Sequence, residues 1–590
     1  MPALYQWSSQ GWETYPYSEF RIAAEELALG LIAQAWHKAN SASQPLRVGL
    51  LLESNIHWAL ADMGSLLAGL VTVPLDREQS LDTLNWIVAD AELRALVVAT
   101  WDRLQPLYNR LQQIELVVII DESPPPSWVL PLSDKVVIKT LADIRRQGQQ
   151  RHSPVTIQSL KERIHPEDLA TIVYTADASG SAKGAMLSHQ SLTGNIWAAF
   201  SSMPGLMPGT PEIALSFLPL NHIFARAFLY GHLGFGHHIY FSSPKRVFRH
   251  LATVQPTIFI TVPRLLEKVY ERVNSLRQQS FGLKRQWLQL GWYLAHRYNI
   301  NAGHLPWYRL QCWLLGHGVF KSLRRAFGGN IRYLLCGGAA LRSEVMTFFN
   351  GMGIPVKQGY GLTETSSVLS YTRDRWLRSG TVGTPIPGVE MRLANDGEVL
   401  VKSPYTMAGY HHNQDATDAV IDADGWFHTG DLGEFSADGL LTLHGCKKGL
   451  FKLSTGKYVA PDPIEAQLEN SPLVKQALLV GPGQKFCGVL IVPEDGRLDD
   501  GTVRSHYQSL IDQVNSQLPH WSTIKRFALV QLKANTQISR QQRYQAHSQD
   551  IKNLYQETDP VLPPTPVSPW HREWTRLKAL YHRARQPNTA

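Results

Sequence analysis

The 590-residue chain has only four cysteines, Cys312, Cys336, Cys446 and Cys487, and no two of them stand in a CxxC spacing. That excludes a disulfide framework or a cysteine-built zinc site as the organising feature and leaves reduced thiols, so a cytoplasmic location is expected. No uninterrupted apolar run reaches the roughly 20 residues a membrane-spanning helix needs. The best candidate, residues 59–75, is interrupted by Asp62, Gly64 and Gly69. The N-terminal residues include Glu13 and Glu19 and no apolar block, which argues against a secretory leader. Acidic residues are missing altogether from Arg272 through Ser343, where Arg and Lys recur among Trp287, Trp292, Tyr293, Trp307, Tyr308 and Trp313. With a net charge of +8, this stretch fits either peripheral contact with an anionic membrane or a helical subdomain with a solvated basic face. No nucleic-acid fold signature accompanies it, so no nucleic-acid partner is expected.

Apolar runs supply the fold class. Residues 46–52, 70–74, 95–99 and 116–120 are short and β-branched, and helical periodicity fills 19–36, 57–67 and 81–90. This alternation predicts α/β architecture on parallel sheets. Residues 123–151, with Pro124–Pro126 and a polar end, predict surface loop around a short strand. From Gly383 the texture changes to short strands with Asp-Gly turns at 424–425 and 438–439, a β-rich subdomain, and a boundary is expected near Leu432. Beyond it, helices over 461–470 and 505–518 and strands over 477–480 and 488–492 predict a small α+β domain. Residues 560–569 form a Pro-rich linker, and the final segment places Trp570, Trp574, Leu577 and Tyr581 on one helical face.

One stretch carries the chemistry. After the strand-like run 169–174 comes Tyr174-Thr-Ala-Asp-Ala-Ser-Gly-Ser-Ala-Lys-Gly-Ala-Met-Leu-Ser-His189, and then a segment able to form a helix. Small residues free the backbone N–H groups and Lys183 adds one cation, which is how a loop holds a polyphosphate. Two later strands end in small, polar tips, Gly337-Gly-Ala-Ala340 and Gly361-Leu-Thr-Glu-Thr365. Ligands of parallel sheets bind beyond the carboxyl ends of the strands, so the tips and the loop are expected to converge on one crevice. With Glu364 for magnesium and Asp431 for ribose hydroxyls, the set fits a nucleoside triphosphate.

Taken in order, these motifs resemble the adenylate-forming (AMP-binding) superfamily, and most closely its long-chain fatty acyl-CoA synthetases. The resemblance is carried by the 174–189 loop, Leu218-Pro-Leu-Asn-His-Ile-Phe-Ala-Arg226, Gln255-Pro-Thr-Ile-Phe-Ile-Thr-Val-Pro-Arg264, Gly337-Gly-Ala339, Gly359-Tyr-Gly-Leu-Thr-Glu-Thr365, His428-Thr-Gly-Asp-Leu-Gly433 and residues 452–465, over roughly residues 15–555. It implies an N-terminal AMP-binding domain over 1–431, with the basic aromatic helical segment at 272–325, then a small mobile α+β C-terminal domain over 432–556 and the tail 557–590. It implies an acid–thiol ligase: ATP and magnesium activate a long-chain fatty acid to acyl-AMP, and coenzyme A takes the acyl group. Lys183, Thr363 and Glu364 would be catalytic, with Glu364 on the metal. Thr175, Ser179, Gly180, Gly338, Ala339, Tyr360, Gly361 and Asp431 would bind the nucleotide, and His222 would border the acyl pocket. The oligomeric state is not indicated, and the enzyme would be cytoplasmic or peripheral at the inner face of a membrane.

The departures from the family pattern fall on the chemistry. The family loop reads Thr-Ser-Gly-Thr-Thr-Gly-x-Pro-Lys-Gly, whereas here Ala176 and Ala178 lack hydroxyls and Asp177 replaces a glycine. An aspartate facing the triphosphate at about 4 Å would cost up to roughly 4 kcal/mol at an effective dielectric of about 20. Gly445-Cys-Lys-Lys-Gly449 stands where the family has Gly-Arg-x-Lys-Asp, so Cys446 replaces an arginine, with Lys447 and Lys448 the nearest substitutes. Gln537 or Ile538 occupies the place of a C-terminal lysine, with Lys533 and Arg540 nearby. Two alternatives therefore stand beside the ligase: a non-catalytic lipid- or nucleotide-binding or regulatory protein, and an acyl-AMP ligase with another acceptor.

Overall fold

The structure, a computed structural model, describes residues 2–34, 45–132, 136–176, 182–298, 319–373, 378–447, 450–494, 496, 501–531 and 540–556. The tail at 557–590, with its expected linker and amphipathic helix, lies outside the described residues. Backbone proximity divides the chain into a large unit, residues 1–464 with 481–487 and 517–523, and a small unit made of the remaining C-terminal segments.

The large unit is built on two broad sheets. In the first, Val356–Tyr360, Tyr333–Cys336, Ile258–Thr261, Ile213–Ser216, His238–Phe241 and Ala3–Ser8 run parallel in that order. Antiparallel strands close both edges. In the second, Leu169–Ala176, Val71–Pro74, Arg47–Leu51, Ala95–Val98, Leu116–Ile119 and Val137–Thr140 run parallel, and Ala182–Ser188 and Gly409–Tyr410 add antiparallel strands at one edge. The predicted apolar runs 46–52, 70–74, 95–99, 116–120 and 169–174 supply five of these strands. Every residue of Arg47–Leu51, Ala95–Val98 and Leu116–Ile119 is buried, because helices cover both faces of a parallel sheet.

One expectation needs correction. The region 123–151 does contain its short strand, Val137–Thr140, but the rest is not all surface loop: Leu141–Gln149 is a helix packed on the helix Tyr17–Ile32. Its polar composition concealed it, since only Leu141, Ile144 and Gly148 are buried. Arg145 reaches back to Glu26 at 2.8 Å, and Thr140 caps the helix by accepting the Asp143 N–H at 3.0 Å. A Cβ on Gly148 would overlap the Glu26 carbonyl, and one on Gly30 would overlap that of Ile144, so the two glycines set how closely the helices cross. The 174–189 stretch leads, as expected, into a helix, which begins at His189. Its later part is a second strand, Ala182–Ser188, paired antiparallel with Leu169–Ala176. The two strands form a β-hairpin whose connecting residues, 177–181, lie outside the described residues.

A buried polar joint fixes the strand that enters this hairpin. Arg226, on the helix Ile223–Phe235, is fully buried with Asp62 of the helix Ile56–Leu67, and the guanidinium and carboxylate meet through two hydrogen bonds. The remaining donors reach Thr171 Oγ1 at 2.7 Å and Thr72 Oγ1 at 2.6 Å, and Tyr230 donates to Asp62 at 2.6 Å. Every charge here has several partners, which a buried ion pair requires.

The β-rich subdomain is a four-stranded antiparallel sheet ordered Glu390–Leu393, Glu398–Lys402, Phe427–Phe435, Leu441–Cys446. The boundary expected at 432 falls inside Phe427–Phe435, which pairs on both flanks, and residues 432–464 group with the large unit. The small unit centres on the strands Val474–Val480, Cys487–Pro493 and Ile524–Leu529 and the helices Gly501–Asn515, Arg540–Ala546 and Ser548–Gln556. Among the described residues no helix is long and apolar enough to cross a membrane.

Candidate functional site

The hairpin is held in register down to its tip, with Tyr174 opposite Gly184, Thr175 opposite Lys183 and Ala176 opposite Ala182. Gly184 leaves room for Tyr174, whose ring lies where a Cβ would come within 3.0 Å; the Tyr174 hydroxyl donates to Asp90 at 2.6 Å. Thr175 and Lys183 thus flank the tip on facing strands. Ser179, Gly180 and the intruding Asp177 lie outside the described residues.

Glu364 sits in a single 3-10 turn, Thr363–Thr365, just past the end of Val356–Tyr360. Leu362 N–H donates to the Thr365 hydroxyl at 3.1 Å, and Asn195 donates to the Thr365 carbonyl at 3.2 Å. Ser366 and Ser367 then take positive φ values of 58° and 116°, strained for residues with a Cβ. That turn presses the Ser367 carbonyl against Gly361, where any Cβ would overlap it. The glycine at 361 is thus required by backbone packing.

The hairpin and this turn meet at Tyr410. Its two-residue strand pairs with Ala182–Ser188, Tyr410 opposite Ala185. The hydroxyl donates to Glu364 Oε1 at 2.9 Å, and Lys183 Nζ lies 5.5 Å from the ring centroid. Met407 N–H, three residues earlier, donates to the Glu364 carbonyl at 2.7 Å. Nothing in the periodicity of the sequence marks Tyr410, since a two-residue strand leaves no pattern.

On the neighbouring strand end, Tyr360 is buried and its hydroxyl donates to Asp431 at 2.7 Å. Burial pushes the Asp431 carboxyl above its usual range, against the Tyr360 hydrogen bond and nearby Lys452, and Glu364 adds a like charge. Gly338 and Ala339 follow Tyr333–Cys336, which lies beside Val356–Tyr360 in parallel, so they share the same end of the sheet as Tyr360. Gly338 has φ +81°, which favours glycine.

His222 immediately precedes the helix Ile223–Phe235 and is exposed, yet protein crowds it on several sides. That crowding, with the cations Lys457 and Lys452 and only Asp76 opposing, lowers its pKa to about 4, so the ring is neutral at pH 7. Asp76 accepts from Lys457 at 3.4 Å, and the Lys457 ammonium lies 5.0 Å from the Trp521 ring centroid.

Two candidate replacements for missing cations are engaged elsewhere. Lys447 pairs with Asp396 at 2.5 Å and Glu398 at 3.0 Å, so it does not stand in for the arginine that Cys446 replaces. Arg540 makes a two-pronged contact with Glu465 at 2.7 and 2.6 Å. Lys448, Lys533, Gln537 and Ile538 lie outside the described residues. The structure therefore joins Lys183 and Glu364 through Tyr410, and Tyr360 directly to Asp431. Cys336 and Cys487 are free and buried, and among the described residues no group of His, Cys, Asp and Glu could hold a metal as a cluster.

Comparison with known proteins matches residues 1–411 to the AMP-binding enzyme family and residues 450–559 to the AMP-binding enzyme C-terminal domain. The chain is 31% identical over 494 residues to the long-chain-fatty-acid–CoA ligase FadD15 of Mycobacterium bovis, covering 81% of this chain and 77% of that protein. It is 30% identical over 508 residues to the peroxisomal long chain acyl-CoA synthetase 7 of Arabidopsis thaliana, covering 82% and 69%. Among solved structures, the A-PCP didomain of carboxylic acid reductase from Segniliparus rugosus, in complex with AMP, shares the fold at a TM-score of 0.73 and 20% identity, covering 94% of this chain and 80% of that one.

Proposed function

This chain belongs to the AMP-binding enzyme family, and on that premise we propose that it is an acid–thiol ligase that activates a long-chain fatty acid with ATP and passes the acyl group to coenzyme A. The observation that carries this reading is the junction at Tyr410, which sets the hairpin cation Lys183 beside the carboxylate Glu364 at the sheet end where Tyr360 holds Asp431.

In the first half-reaction a carboxylate oxygen of the fatty acid attacks the α-phosphorus of ATP, and the bond to the departing pyrophosphate breaks. The protein's task is to stabilise charge on the phosphates. Lys183, Thr175, Ser179 and Gly180 would hold the β- and γ-phosphates, and Thr363 would lie at the α-phosphate. Tyr360, Gly361, Gly338 and Ala339 would frame the adenine, with Asp431 on the ribose. Glu364 suits magnesium: it is a hard oxygen donor that keeps lone pairs after accepting from Tyr410. When bound, the metal would neutralise charge on the phosphate oxygens. Neutral His222 would border the acyl pocket without adding charge beside an apolar chain. In the second half-reaction the coenzyme A sulfur attacks the acyl carbon and AMP leaves.

The engagement of Lys447 and Arg540 favours a second reading, a member of the family that binds lipid or nucleotide with little or no turnover. One assay separates the two: purified protein with ATP, magnesium, coenzyme A and fatty acids of graded length, scored for pyrophosphate and acyl-CoA. Acyl-CoA formed on long chains supports the ligase; pyrophosphate without acyl-CoA points to another acceptor; ATP binding with no pyrophosphate on any chain length rejects the ligase.

The same proposal places the protein at an anionic membrane surface. The helix Gly282–His296 exposes Trp287, Leu290 and Tyr293, and Phe281 before it is 84% exposed. Arg285 and Arg297 accompany them with no acidic residue from 272 to 343. Aromatics beside cations suit the headgroup boundary. Vesicles rich in phosphatidylserine should retain the protein at low salt and release it on substitution of Phe281 and Trp287 by serine; retention unchanged by that substitution rejects this surface.

A further inference from the structure

Tyr410 belongs to none of the motifs that mark the nucleotide site, yet two of the proposed phosphate- and metal-directed groups converge on it. Its position is tightly determined. The backbone pairs with Ala182–Ser188 on one side, His411 N–H donates to the Gly184 carbonyl at 2.8 Å, and Tyr410 N–H donates to Thr417 Oγ1 at 2.9 Å. The preceding Gly409 has φ +147°, and a Cβ there would crowd Thr417 at 2.9 Å. The ring is 9% exposed and packs in an apolar cluster with Met407, Leu187 and Phe427. Such a side chain has little rotational freedom, so what it touches is held where it is.

We propose that Tyr410 is the positioning residue of the nucleotide site, orienting Glu364 toward a divalent cation through its hydroxyl and Lys183 toward the phosphates through its ring face. This rests on the nucleotide reading given above. The two functions use different parts of one side chain. The hydroxyl gives Glu364 Oε1 a fixed hydrogen-bond donor, which selects one carboxylate orientation and leaves the other lone pairs for a metal. The ring offers its π face to the Lys183 ammonium within the roughly 6 Å at which such an attraction operates. Lys183 lies two residues before Ala185, the cross-strand partner of Tyr410, so the hairpin ladder itself brings the cation over the ring. Because the hydroxyl and the ring act on different ligand groups, their losses are separable.

The experiment is ATP binding by isothermal titration calorimetry, with EDTA and across a magnesium chloride series, on wild-type protein, Tyr410→Phe and Tyr410→Leu. Tyr410→Phe keeps the ring and loses the hydroxyl. It should raise the half-saturating magnesium concentration about tenfold and leave the metal-free ATP affinity within about twofold of wild type. Tyr410→Leu should show the same magnesium shift and also weaken metal-free ATP binding about threefold. Wild-type magnesium dependence in Tyr410→Phe overturns the proposal. So does equal weakening by Tyr410→Phe with and without magnesium, which would mark a packing role. A wild-type protein that binds no ATP in either condition overturns the nucleotide reading itself, and this proposal with it.

Discussion

Cys446→Arg is expected to raise the rate of pyrophosphate release with ATP and a long-chain fatty acid by roughly 10- to 100-fold, the equivalent of one charge-assisted contact of about 1.5–3 kcal/mol. Position 446 ends the strand Leu441–Cys446 and is the direct cross-strand partner of Asp431. The register therefore puts position 446 directly opposite the residue proposed for the ribose. The adjacent lysine does not already supply this charge. Lys447 is drawn to Asp396 and Glu398, and Glu398 is also tied to the Gly430 N–H at 2.8 Å. Cys446→Lys should gain less than Cys446→Arg, because an ammonium lacks the fork that satisfies two acceptors at once. Measuring both variants in the Asp177→Gly background and in the native one separates the missing cation from the added anion. If arginine at 446 gives no gain in either background, the absence of that guanidinium is not what limits turnover.

The largest loss of stability is expected from Arg226→Met, about 3–5 kcal/mol, the usual cost of leaving one member of a buried ion pair uncompensated. Asp62 would stay at zero exposure with Tyr230 the one side-chain donor left to it among the described residues, and the Thr171 and Thr72 hydroxyls would lose their guanidinium donors. Arg226→Met combined with Asp62→Leu should recover most of that loss, because apolar replacement of both partners is often neutral. Denaturant midpoints followed by tryptophan fluorescence give the comparison. A single variant as stable as wild type would mean that water reaches Asp62 when the arginine is gone. The double variant also tests position: Thr171 lies in the strand that enters the phosphate hairpin, so ATP affinity in a stable double variant reports whether the joint aligns that strand.

The parallel sheets were legible because strands buried on both faces must be continuously apolar, as in Leu116–Ile119. The helix Leu141–Gln149 was not, because a glycine contact and an Arg145–Glu26 pair hold it where a broad apolar face would ordinarily do so. The strand Ala182–Ser188 was hidden for a related reason: its small residues resemble loop, and its strand character comes from pairing with Leu169–Ala176. At the site, Glu364, Asp431 and Lys183 stood out as charges among glycines and hydroxyls. Tyr410 did not, since its role comes from a long-range register rather than from neighbours in sequence. The partners of Lys447 and Arg540 were equally unreadable: Glu398 lies 49 residues from Lys447 and Glu465 lies 75 residues from Arg540.

The hairpin that carries Lys183 has one more consequence. Its ladder fixes Thr175 against Lys183 and Ala176 against Ala182 before the tip begins, and Gly409–Tyr410 braces the returning strand from outside. Lys183 is therefore placed by backbone pairing on both flanks of its strand. Its position is a property of the main chain, and it survives any side-chain exchange that leaves those two ladders intact.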